Sequence, residues 1–135
     1  MQDKIIITIP GKPEYICAVR MAVGSIAASA GFNVEETEDI KSAVGEACQL
    51  VTCHALEGYA SAYTVECDLE DSRIGITVTK SGNQFIAKGN NRCLNCPDEG
   101  EIGKMMISAL MDEVKIDCSK KDSRTISMVK TKAKA

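Results

Sequence analysis

The chain has no run of apolar residues approaching the roughly 20 needed to cross a bilayer. Its opening, MQDKIIITIP, holds only the five-residue stretch Ile5–Ile9. Neither a membrane span nor a secretory signal is expected, and a cytoplasmic setting is the default. A clustered basic stripe is also missing. The 16 Lys and Arg against 19 Asp and Glu give a net charge of −3 and are scattered except in the tail, which speaks against a nucleic-acid surface. The single histidine is His54. A catalytic histidine needs a nucleophile and an orienting partner, and the sequence identifies neither, so a packed residue at a helix end is the simpler reading. With 135 residues and no internal repeat, one domain is expected.

Cysteine is what the chain has in abundance. Seven cysteines, an odd number without a secretory signal, point to reduced thiols rather than a disulfide framework. Cys17, Cys48 and Cys67 read as small buried hydrophobes. Cys93-x-x-Cys96 is a single pair, whereas a structural zinc takes four ligands. Cys118 falls on an expected strand with no mate. A redox pair would sit at a helix N-terminus after a strand, so exposed loop thiols are expected and no metal is assigned.

Periodicity supplies the elements. KIIITI (4–9) is β-branched and stops at Pro10 and Gly11. From Pro13 to Ala30 the residues Ile16, Val19, Val23, Ile26 and Ala27 recur at helical spacing. Gly24 inside this helix costs about 1 kcal/mol relative to alanine, which suggests a close neighbour, and Gly31 ends it. A second helix is expected over 36–56, with Thr37 as N-cap and a stripe of Ile40, Ala43, Val44, Ala47 and Val51. Glu46 and Leu50 lie together along one edge of that stripe.

The period then becomes two. Tyr63, Val65, Cys67 and Leu69 alternate with polar residues, as do Ile74, Ile76 and Val78, and EDSR (70–73) joins the two runs as a hairpin. Residues 81–100 are irregular and rich in Gly and Asn, a length that usually has a function. A helix over 101–112, strands near 113–118 and 124–130, and a frayed basic tail over 131–135 complete the chain. The expected fold is an α/β two-layer sandwich: a mostly antiparallel sheet with helices on one face, in one domain over 1–130.

This order and three of its words resemble the anti-sigma regulatory factors, serine-protein kinases on the ATPase fold shared by histidine kinases, gyrase and Hsp90-type chaperones. KPEYICAVRMAVGSIAASAGF is similar to the family's first helix, EDIKSAVGEAC to its second, and ALMDEVKI to its last helix-to-strand passage. The resemblance implies a general base for a protein serine at Glu46 and a magnesium-holding asparagine four residues later. That position is Leu50, which has no oxygen to give, whereas magnesium demands oxygen ligands.

The aspartate that reads adenine falls on Lys80, two residues before Gly82, and an ammonium group only donates. The phosphate-cradling turn keeps Gly100 and Gly103 at the opening of the last helix, with Glu101 between them. The first-helix arginine that contacts the sigma factor or the anti-anti-sigma antagonist falls on Arg20.

Two functions stay open on these residues. One is a binding module that takes a sigma factor or anti-anti-sigma protein and needs no cofactor. The other is an active kinase using ATP and magnesium, with Glu46 as base. The family often forms homodimers, and the resemblance extends that expectation to this chain.

Overall fold

A computed structural model describes residues 2–51, 60–81, 96–120 and 123–133. In chain order these form β1 (Asp3–Gly11), a 3-10 turn (Pro13–Tyr15), α1 (Ile16–Ser29), α2 (Val34–Leu50), β2 (Ala60–Leu69), β3 (Arg73–Ser81), α3 (Cys96–Leu110), β4 (Glu113–Lys120) and β5 (Ser123–Thr131). One sheet in the order β1-β2-β3-β5-β4 is antiparallel at every pairing.

Alternation decides which side of the sheet is covered. Ile5, Ile7 and Ile9 of β1, Val65 and Cys67 of β2, Ile74, Ile76 and Val78 of β3, and Ile126 and Met128 of β5 share one core with the helices. Val19, Val23 and Ala27 of α1, Ile40, Val44 and Ala47 of α2, and Ile107 of α3 supply the other side of that core. Each fully buried Val or Ile stabilises the fold by about 1.5–3 kcal/mol as an upper bound. The opposite sheet face carries Thr64, Glu66, Asp68, Thr77 and Thr79, all half-buried. The expected α/β sandwich with helices on one face is therefore the observed one.

Several boundaries differ from expectation. α2 begins at Val34, not Glu36, because Asn33 is a better cap than Thr37. The Asn33 side chain accepts from the Glu36 backbone N–H at 2.8 Å, and the Glu36 carboxylate accepts from the Asn33 N–H at 2.9 Å. This reciprocal pair satisfies two orphan donors. α2 ends at Leu50, and the expected residues to 56, with His54, lie outside the described residues. Residues 13–15, expected to be the first turn of α1, form the 3-10 turn instead. Gly31 ends the α1 passage with φ +96°, a conformation that suits glycine.

The tail is held further along than sequence suggested. Thr131 lies in β5, and its N–H donates to the Asp112 carboxylate at 2.6 Å. Lys132 sits 5.5 Å from the centroid of the Phe32 ring and donates to the Asp71 carbonyl at 2.9 Å. The Ala133 N–H donates to Glu36 at 2.7 Å. Residues 131–133 thus make specific contacts, and 134–135 lie outside the described residues.

Among the cysteines, Cys48 and Cys67 are buried, but Cys17 is exposed on α1. Burial pushes the Cys48 thiol up to about 12. Burial, with the neighbouring Asp68 charge, raises Cys67 to about 11. Both stay protonated and act as packing groups.

Candidate functional site

Three helices converge at the C-terminal end of α2. α1 runs antiparallel to α2, since Arg20 lies on Gly45 while Gly24 lies under Lys41. α3 is antiparallel to α2 as well. Its Gly103 meets Leu50, while at its other end Lys130 donates to the Leu110 carbonyl at 2.6 Å and approaches Asp39 at 3.5 Å. The arrangement brings Arg20, Glu46, Leu50 and Gly103 to one end of the helical layer.

Leu50 is half-buried and turned toward α3. A Cβ built on Gly103 would stand 2.7 Å from one Leu50 methyl carbon and 2.9 Å from the other. The leucine therefore occupies the space that the missing side chain leaves. It offers no oxygen, so at this position the chain does not fit the octahedral oxygen shell of magnesium. Glu46, one turn earlier, is half-buried and has no hydrogen-bond or ion-pair partner among the described residues.

Gly100 and Gly103 do not form a turn ahead of the helix. α3 starts at Cys96, so both glycines lie inside it, and this corrects the helix start expected at 101. The N–H groups of residues 100–103 are then used within the helix, and the unpaired donors that suit a phosphate belong to its first four residues. Cys96 opens α3, and Cys93 lies outside the described residues. Lys80 is in β3, opposite Tyr63 of β2. Gly82 lies outside the described residues. No group of three potential metal ligands occurs among the described residues.

Arg20 is half-buried at the edge of α1. It is the only charged residue in that helix. Cys17, Ala18, Met21, Ser25, Ala28 and Ser29 make up the exposed face, which carries no charge. Arg20 has no ion pair among the described residues, and its Nε is buried without an acceptor. α3 adds Ile102, Met105 and Met106 as exposed apolar residues, while Met111 is in the core.

Sequence reading named Arg20, Glu46, Leu50 and Gly103 separately, and the fold brings them to one end. It passed over Gly45, although a glycine inside a helix is the same signal it used at Gly24. Among the described residues, no helix is long and apolar enough to cross a membrane.

Comparison with known proteins speaks to the family and the fold. The model of the histidine kinase-like ATPase domain matches residues 9–130. The chain is similar to the serine-protein kinase RsbW of Listeria monocytogenes, 34% identical over 126 residues, covering 86% of this chain and 80% of that protein. The RsbW of Bacillus pumilus is 31% identical over 140 residues, with 95% and 85% covered. Among solved structures, the RsbU and RsbW domains of Rv1364c from Mycobacterium tuberculosis superpose with a TM-score of 0.73 at 17% identity. That match spans 98% of this chain and 33% of the other, and speaks to the fold.

Proposed function

The chain belongs to the histidine kinase-like ATPase domain family, among the RsbW-type serine-protein kinases, and from that premise we propose that it works as an anti-sigma regulator by binding. Its partner is a sigma factor or an anti-anti-sigma protein, met by the uncharged face of α1 with Arg20 at its edge. Mg·ATP binding is weak or lost in this reading.

The observation that carries the loss of nucleotide is Leu50 seated against Gly103. A metal-bridged phosphate needs oxygen ligands and room beside the helix. Here an aliphatic side chain takes that room. Glycines within α3, rather than ahead of it, point the same way. The partner surface is supported by the relatives' identity as RsbW and by an arginine whose charge is unspent within the described residues. A desolvated arginine beside apolar residues is a common anchor of protein interfaces.

The second reading is an active serine-protein kinase. It is supported by Glu46, which is half-exposed and unpaired among the described residues, and to which the family resemblance gives the role of general base. Calorimetry with Mg·ATP and Mg·GTP separates the two. Millimolar or no affinity is expected, and micromolar binding of either nucleotide overturns the proposed loss.

A further inference from the structure

The binding role just proposed rests on where the Arg20 guanidinium stands, and the structure assigns the fixing of that position to Gly45. Gly45 is a positioning residue for partner recognition. It acts through Arg20 and touches no partner itself.

Two long cationic side chains cross between α1 and α2, each lying on a glycine of the opposite helix. Lys41 lies on Gly24, and a Cβ there would stand 2.6 Å from its Cδ. Arg20 lies on Gly45, where a Cβ would stand 2.8 Å from its Cδ and 3.2 Å from its Nε. The two seats are about equally tight. What differs is the use of the charge. Lys41 pairs with Glu38 of its own helix at 3.2 Å. Arg20 has no ion pair among the described residues, and its Nε is sealed off without an acceptor.

A buried donor left unpaired is costly, so Arg20 would gain by swinging outward to hydrate that nitrogen. The bare backbone of Gly45 leaves the room that lets the stem lie inward along α2 instead. The stem and Nε lie against α2 at Gly45, the residue before Glu46, and Arg20 as a whole is half-buried. Rotamer freedom is thereby lost before any partner arrives, which lowers the entropy cost of binding.

A methyl group at position 45 would lift that stem from α2, expose Nε to water and return the lost freedom. It would not threaten the fold. The obstructed atoms are the far end of a flexible side chain, and alanine is a better helix former than glycine. Binding should therefore fall while stability holds or rises, a pattern that general damage does not give.

The probe is the sigma factor or antagonist domain that co-purifies with the wild-type chain, itself then purified and titrated. Gly45→Ala should weaken binding about tenfold, with a thermal midpoint equal to or above wild type. Gly24→Ala applies the same obstruction to Lys41 and should leave the affinity unchanged. The Arg20→Ala/Gly45→Ala double variant should bind no more weakly than Arg20→Ala alone, since one residue acts through the other. In nitrogen-detected NMR, the Arg20 Nε–H should exchange slowly in wild type and in Gly24→Ala, and fast in Gly45→Ala.

Wild-type affinity in Gly45→Ala, or additive losses in the double variant, would overturn the role of Gly45 while leaving Arg20 as an anchor. Wild-type affinity in Arg20→Ala would remove the binding reading itself, and the positioning role with it. An Nε–H that exchanges equally fast in wild type and Gly45→Ala would overturn the packing argument whatever the partner does.

Discussion

The two ends of α2 are built on opposite principles. At its N-terminal end most of the observed polar contacts close on one another, with the Thr37 hydroxyl alone buried without a partner among the described residues. Asn33 and Glu36 cap the helix reciprocally, Glu36 also accepts from Ala133, and Lys130 joins Asp39 to the last carbonyl of α3. At the C-terminal end Arg20 Nε is buried without an acceptor, Glu46 has no partner among the described residues, and an aliphatic side chain fills the gap to α3. One end is made for stability. The other leaves a cation and a carboxylate, Arg20 and Glu46, without an ion pair among the described residues.

Substitutions that exchange the character of the two ends test this contrast. The largest stability effect is expected from Leu50→Asn, which introduces the asparagine that the family resemblance implies and places an amide against Gly103. A loss of about 1–2 kcal/mol is expected, discounted because Leu50 is only half-buried, and urea denaturation measures it. A variant as stable as wild type would show that the leucine is not a structural filler.

Next comes Asn33→Ala. Loss of the cap should cost about 1 kcal/mol and leave partner affinity unchanged. A drop in affinity matching that of Arg20→Ala would abolish the functional division between the ends.

The smallest effect is a pH dependence at Glu36. Backbone N–H groups of Asn33 and Ala133 hold its carboxylate below the ordinary 4.5. A carboxylate lowered in the folded state contributes stability above its unfolded pKa and loses it as the pH falls through the folded value. Wild type should therefore lose stability below about pH 4.5 more steeply than Glu36→Gln, as thermal melts across that range would record. Equal slopes would remove Glu36 as the joint between helix cap and tail.

How far the sequence could be read depended on the range of the interaction. The strands and the stripes of α1 and α2 were legible because burial repeats with a local period. The start of α2 was misplaced although its signal, Asn33 three residues before Glu36, was present. Thr37 is followed by Glu38 and Asp39, acids that suit a first turn, yet its hydroxyl is buried without a partner among the described residues. The α3 boundary was missed because Pro97 and two glycines looked like a turn, whereas proline fits the first turn of a helix. The hold on the tail was invisible, since Lys132 and Ala133 meet partners 61 and 97 positions away.

The sequence by itself determined the fold class, the family and the chemical identity of each site position, because periodicity and residue type are local properties. A leucine side chain cannot ligate magnesium wherever it is placed. Only the tertiary structure decided that this leucine fills the space beside Gly103, and that Arg20 lies across Gly45. Both depend on how helices far apart in sequence are laid against each other, and a glycine shows what it makes room for only when the neighbour is in place.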